Sequence, residues 1–429
     1  MMPARSLPVP RGFRFAAAAC GLKRRGRDLA LLAGEALAAA AAVFTTNRVQ
    51  AAPVRLSRAH LRQSRGWVRA VVVNSGNANC ATGPAGDRAA RATAVGAGRL
   101  LGCAARHVLV CSTGVIGVPL PAEKLLRALP RLSRSAANTP RAFRAFARAI
   151  LTTDTRPKWA AATCRIEGRA VRLLGCAKGA GMIAPRMATM LAFVVTDAAI
   201  APSLLQRMLR AAVAQTFNRI TVDGDTSTND TVVLLASGAA GGRRLSLRRF
   251  SPDRRAATRA ERDALRFYRA LTEVCRSLAL QIVADGEGAQ RVVEVEVRGA
   301  PSAAAAERVA RTIAESPLVK TALAGADPNW GRILAAAGRA GVALDPARTR
   351  VWLAGTLVFA RGRPRPFDER AVRQALRRGC VSVVLDLGER KRNANRRIRR
   401  PARRAAGRCV LWTCDFTRGY VDINASYRS

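Results

Sequence analysis

Short β-branched runs, each ending in a cluster of small polar residues, limit what this chain can become. Residues 68–73 (VRAVVV) read as a buried strand. They run into 74–79 (NSGNAN), a polar turn with glycine. Residues 108–111 repeat the pattern and lead into 112–117 (STGVIG). Residues 178–185 are glycine-rich and precede an apolar strand over 187–197 (MATMLAFVVTD in full). A further strand at 231–235 follows the polar cluster 223–231 (DGDTSTNDT), and 292–298 alternates as a strand. Helical patterns lie between them, at 87–101, 122–129, 140–151, 203–217, 256–284 and 303–315, and 327–332 reads as a loop. Interleaved strands and helices predict a mixed α/β, layered fold. Polar motifs at the ends of buried strands are where sites collect on such folds.

Composition narrows the function. The chain has 429 residues, enough for one large or two medium domains. Hydrophobic residues make up 49%, so a globular core is expected. No apolar run is long enough to cross a bilayer; the longest candidate, 36–44, is short and mostly alanine. The formal charge is +45, but only six of the 73 basic residues are lysines. A surface built to hold phosphates has no need to exclude lysine. The charge is therefore read as compositional bias rather than nucleic-acid binding. The basic clusters at 243–255 and 390–404 read as solvated insertions. Ten scattered cysteines form no C-x-x-C pair, which suits a reducing cytosol. The first residues lack the apolar segment of a secretory signal.

Two histidines, His60 and His107, bound the chemistry. Neither adjoins a motif, so a Ser-His-Asp triad is unsupported and a histidine-rich metal site is nearly excluded. The 178–181 loop lacks Walker A spacing, and 223–230 lacks EF-hand spacing. Thr189, inside an apolar run just after a Gly/Pro-rich turn, would by itself be an ordinary strand threonine.

Nine stretches in order change that reading. They are VFTTN at Val43, NSGNAN at Asn74, STGVIG at Ser112, TTDTRPK at Thr152, KGAGMIAPRMATMLAF at Lys178, FNRITVDGDTSTNDT at Phe217, DGEGA at Asp285, GADPNWGRI at Gly325 and YVDINASYRS at Tyr420. Together they resemble the ornithine acetyltransferase (glutamate N-acetyltransferase) family of arginine biosynthesis, over nearly the whole chain. The resemblance implies an αββα-type sandwich and a precursor that cuts itself between Ala188 and Thr189. Residues 1–188 would then be an α chain and 189–429 a β chain, assembling as a heterotetramer of two of each. It implies Thr189 as nucleophile, with Thr113 and the Gly114 N–H stabilising the oxyanion. Thr155, Lys178, Thr189, Glu287, Asn424 and Ser429 would hold the amino-acid substrate. The implied reaction moves an acetyl group from N2-acetylornithine to glutamate through an acetyl-Thr189 ester, in the cytoplasm, with no metal or organic cofactor; acetyl-CoA is left open as a second donor. A new α-amine, with an ordinary pKa of about 7.7–8.0, can activate the threonine hydroxyl without histidine. A self-cleaving aminopeptidase-like hydrolase and an inactive relative that binds nucleic acid are the alternatives. The chain departs from the family pattern at Arg186, where asparagine is usual, and at Gln290-Arg291, where Thr-Lys is usual. The regions 241–265 and 389–407 look expanded.

Overall fold

The structure, a computed structural model, describes residues 7–184, 190–253, 256–388 and 407–425. Ala188, Thr189, Ser429, Arg186 and most of the 389–407 region lie outside the described residues. The chain divides into two compact units, one of Met1–Asn218 with Asp225–Ile282 and the other of Arg219–Gly224 with Val283–Ser429.

The first unit is built on eight strands, β1 (Phe13–Ala18), β2 (Leu29–Phe44), β3 (Trp67–Asn77), β4 (Val108–Val115), β5 (Lys158–Ile166), β6 (Arg169–Lys178), β7 (Leu191–Thr196) and β8 (Thr231–Ala236). They form one sheet in the order β4-β3-β2-β8-β7-β6-β5, with β1 also paired to β2. The pairs β3/β4 and β7/β8 are parallel and the other pairs antiparallel. Alternation puts Leu32, Val71, Val73, Leu109 and Cys111 on one face and Leu31, Ala70, Val72, Val108 and Val110 on the other. Helix Pro140–Ala149 covers the first face with Phe143 and Phe146, and rings meet edge-to-face in the pairs Phe15–Phe143 and Phe146–Phe193. Helices Gly83–Leu100 and Ala122–Arg134 cover the second face with Ala90, Ala94, Leu125 and Leu129. This is the layered α/β architecture expected.

Strand β2 was not legible in the sequence. Its run LALLAGEALAAAAAVF is alanine-rich, and alanine favours helices when nothing else decides. Pairing decides here: the first half of β2 bonds to β1 and β3, and its second half to β8. Ala38–Ala42 are all buried.

The second unit carries β9 (Val292–Ala300), β10 (Arg350–Leu353), β11 (Thr356–Ala360), β12 (Arg363–Pro364), β13 (Cys380–Asp386) and β14 (Gly407–Cys414) in the order β12-β11-β10-β13-β9-β14. Val293, Val295 and Val297 pack with Val309 and Ile313 of helix Ala303–Ala314 on one face. On the alternate positions, Glu294 accepts from the Trp412 indole and Glu296 from Arg408.

Two expected turns are strand. Asn74, Ser75 and Gly76 pair in parallel register with Ser112, Thr113 and Gly114, so the two polar motifs lie side by side at the end of β3 and β4. Gly114 has φ +133°, and a Cβ there would meet the Gly76 carbonyl carbon at 2.3 Å and the Asn77 nitrogen at 2.5 Å. Both obstacles are backbone, so neither can swing away. Gly114→Ala is expected to destabilise the fold by at least about 2–3 kcal/mol, from strain plus steric overlap, read as a lowered urea midpoint. A wild-type midpoint would show that the two motifs separate at little cost.

Candidate functional site

Lys178 ends β6, where its register partner is Leu191 at the start of β7. The side chain is buried, and its Nζ donates to Thr113 Oγ1 at 3.2 Å. The adjacent Gly114 presents its backbone at the same strand end. Three residues expected at the site, Thr113, Gly114 and Lys178, are thus brought together from motifs 65 residues apart in the chain.

Asp154 ties a third motif to this cluster. Its side chain is fully buried and its Oδ1 accepts from Lys158 Nζ at 2.6 Å and from the Gly179 N–H at 2.6 Å. Burial by itself would raise its pKa, but the charges of Lys178 and Lys158 and the Gly179 amide outweigh burial and hold the carboxyl below its usual range. Asp154 therefore fixes the backbone just after Lys178. Thr155, its neighbour, is exposed on the same turn. Sequence reasoning chose Thr155 from this motif and passed over Asp154. Its signal was Lys158, four residues on, in the same short motif.

The 223–231 cluster wires the strand ends together. Asn229 Nδ2 donates to the carbonyls of Ser112 and Ala78 at 2.8 and 2.7 Å. Ser112 Oγ donates to Asn74 Oδ1 at 2.6 Å, and Asn74 Nδ2 to the Asn77 carbonyl at 2.8 Å. Thr45 Oγ1 donates to the Ser227 carbonyl at 2.6 Å. Asp230 Oδ1 accepts from the Met190 N–H at 2.8 Å, while Thr231 N–H donates to the Met190 carbonyl at 3.0 Å. Burial pushes the Asp230 carboxyl well above its usual range; the Met190 amide, the Lys178 charge and the Thr45 hydroxyl pull against it.

Glu287 and Asn424 belong to the second unit, where Asn424 Nδ2 donates to Glu287 Oε2 at 2.8 Å. Gly288 makes this contact possible. With φ +70°, a Cβ there would lie 2.3 Å from the Tyr420 nitrogen, at helix Arg418–Ala425. Thr417 Oγ1 locks the same turn through the Gly288 carbonyl at 2.6 Å.

Comparison with known proteins decides the family. The ArgJ family model matches residues 14–429. The chain belongs to the ArgJ family. Among curated ArgJ relatives, the arginine biosynthesis bifunctional protein ArgJ of Chlorobaculum tepidum is 44% identical over 420 residues, covering 98% of this chain and 96% of that protein. The ArgJ of Thermosynechococcus vestitus is 46% identical over 418 residues, covering 97% of this chain and 96% of that protein. A crystal structure of ArgJ from Bacillus halodurans matches with 38% identity and a TM-score of 0.47, covering 55% of this chain and 98% of that one. The family expected from the nine motifs is the family found.

Within this ArgJ cluster, Thr113 offers the cleanest single change. Valine keeps the β-branched shape and deletes only the hydroxyl. Given the oxyanion role that the motif resemblance implies, Thr113→Val is expected to fold normally and to lose about 10²–10³-fold in kcat, the usual effect of removing one oxyanion donor. Steady-state kinetics with N2-acetylornithine checks this; an unchanged kcat would reject that role.

Proposed function

We propose that this ArgJ chain cuts itself between Ala188 and Thr189 and carries the acetyl group on the freed threonine. As a member of the ArgJ family it is an acetyltransferase of arginine biosynthesis, moving acetyl from N2-acetylornithine to glutamate. The observation that carries the proposal is the meeting of Thr113, Gly114 and Lys178 at the end of the strand that pairs with Leu191. The Thr189 hydroxyl attacks the acetyl carbonyl, with its own α-amine as base. Thr113 and the Gly114 N–H receive the negative charge that develops on the carbonyl oxygen. Ornithine leaves, glutamate attacks the acetyl-threonine ester, and N-acetylglutamate departs. Lys178 is suited to a substrate carboxylate, and Glu287, oriented by Asn424, to an ammonium. Thr155 and Ser429 complete the proposed substrate contacts.

The sheet order bears on the two pieces, residues 1–188 and 189–429. Strands β7 and β8 follow the proposed cut, yet they lie between β2 and β6, which precede it. Two ladders, β2/β8 and β6/β7, would hold the pieces together once the peptide bond is gone. An assembly of two such pairs, a cytoplasmic location and use of acetyl-CoA as second donor complete the reading. Among the described residues no helix is long and apolar enough to cross a membrane.

The test is intact mass spectrometry after incubation with N2-acetylornithine and no acceptor. A fragment beginning at Thr189 and heavier by one acetyl group, discharged on adding glutamate, is the expected result. Hydrolysis of peptide amides with no acetylated fragment would replace this reading by an aminopeptidase-like one. A single uncut chain with neither activity would reject the proposal.

A further inference from the structure

One lysine beside the cluster has no part in the mechanism above. Lys23 lies between β1 and β2 and is half-buried. Among the described residues its Nζ donates to the Leu151 carbonyl at 3.2 Å, and no carboxylate stands within ion-pair distance. Burial pulls its ammonium below the usual range, and the charges of Asp28 and Asp154 oppose this only in part. An ammonium drawn out of water, with a neutral carbonyl as its contact, is short of a counter-ion.

The loop is built to hold Lys23 in place. Asp28 is fully buried, and its two oxygens accept from the N–H groups of Cys20 at 2.6 Å, Leu22 at 2.6 Å and Lys23 at 2.9 Å. The stem of Lys23 then lies against Gly76, where a Cβ would meet Lys23 Cγ at 2.9 Å. Gly76 is the register partner of Gly114, so the stem passes one strand away from the Thr113-Gly114 turn. The Leu151 carbonyl that receives the ammonium immediately precedes the motif of Asp154. The charge of Asp154 reaches Lys23 as well as Lys158 and Lys178.

Composition sharpens the point. Only six of the 73 basic residues are lysines, and three of those six meet around this one carboxylate. Where a solvated cation suffices, the chain carries arginine; lysine persists where a compact point charge is needed. Lys158 is committed to Asp154 at 2.6 Å. Lys178 is suited to one substrate carboxylate, and glutamate brings two.

We propose that Lys23 is a specificity-determining residue: its ammonium binds the side-chain carboxylate of the acceptor glutamate, while Lys178 takes the α-carboxylate. The proposal rests on the reading of this cluster as the acetyl-transfer site. Ornithine carries an ammonium where glutamate carries that carboxylate. The same lysine therefore repels ornithine and biases the acetyl-enzyme toward glutamate. No bond is made or broken at Lys23.

Lys23→Met is the test, made in the full-length chain. Methionine keeps most of the stem against Gly76 and deletes the ammonium. Glutamine, the neutral isostere of glutamate, serves as the second acceptor. The expected variant has an unchanged urea midpoint and releases ornithine from N2-acetylornithine at a rate within about threefold of wild type. Its preference for glutamate over glutamine, read as the ratio of kcat/KM values, should fall about 10–100-fold, the usual worth of a hydrogen bond to a charged group. Most of the change should lie in KM for glutamate. Partial unfolding cancels from this ratio, because both acceptors meet the same preparation. A merely structural lysine would lower both acceptors alike; a wild-type ratio in the variant thus overturns the proposal, as would a wild-type enzyme that takes glutamine as well as glutamate. Lys23→Gln keeps a donor for the Leu151 carbonyl without the charge. It should show the same fall, and it is read by the same criteria if the methionine variant does not accumulate. A wild-type enzyme that forms no acetylated fragment would sink the acetyl-threonine reading and Lys23 with it. An acetylated wild type beside variants of unchanged ratio would sink Lys23 alone.

Discussion

Thr189→Ala is expected to purify as one uncut chain of 45.7 kDa and to lose acetyl transfer by on the order of 10⁴-fold or more. The size of the effect follows from the double use of one residue. In the proposed mechanism the hydroxyl is the acyl carrier, and the amine that activates it exists only after the cut. Alanine removes the first directly and the second by blocking cleavage. Mass spectrometry reads the cut and a glutamate-dependent assay reads the transfer. The two ladders that join β2 to β8 and β6 to β7 do not involve residue 189, so the uncut variant should fold. Two fragments from the alanine variant would place the self-cleavage nucleophile elsewhere, and the histidine-free mechanism would go with it.

The second large effect is on stability. Lys158 and Asp154 form an ion pair at 2.6 Å with side-chain exposures of 1% and 0%. Taking such charges out of water is repaid only while both are present. Lys158→Met fits the apolar stem and deletes the ammonium, leaving a buried carboxylate supported by Lys178 and the Gly179 amide. The expected loss is about 3–5 kcal/mol, the usual cost of breaking a buried pair.

The pair also gives a pH signature. Asp154 titrates below its usual value in the folded protein, so the unfolded chain binds its proton first. Its contribution to stability is present above the ordinary carboxylate value of 3.8 and is lost as pH falls through the lowered folded value. Without Lys158 the folded value moves up toward the unfolded one, so the acid loss carried by Asp154 should be smaller in the variant and should level off at higher pH. Urea midpoints measured from neutral pH downward read both effects. Equal midpoints and equal acid limbs would mean that Lys178 alone neutralises Asp154.

How much of the site was legible depended on whether its neighbours are local. Thr113, Gly114 and Lys178 stood out because each sits where an apolar run stops and small polar residues begin. Their roles came from the order of motifs, not from spacing, since nothing in residues 112–114 points to a lysine 65 residues away. Asp154 was overlooked because its importance lies in what it touches. Asp230 looked like one more turn-forming acid among DGDTSTNDT; its partner, the Met190 amide, is 40 residues earlier.

The sequence by itself determined the class of fold and the family. Strand and helix periods are local, the nine motifs identify the family in order, and two histidines far from any motif leave a histidine-based triad unsupported. Tertiary structure alone decided that an alanine-rich run is the long strand β2, because pairing with three neighbours outweighs a propensity of a few tenths of a kcal/mol per residue, about the spread among ordinary residues. It alone decided that 74–77 and 112–115 are paired strand ends rather than turns, since the parallel register that joins them crosses 38 residues of chain. It alone set Asp154 beside two lysines and Asp230 against the Met190 amide, because burial and charge proximity are properties of packing, and no local pattern records them.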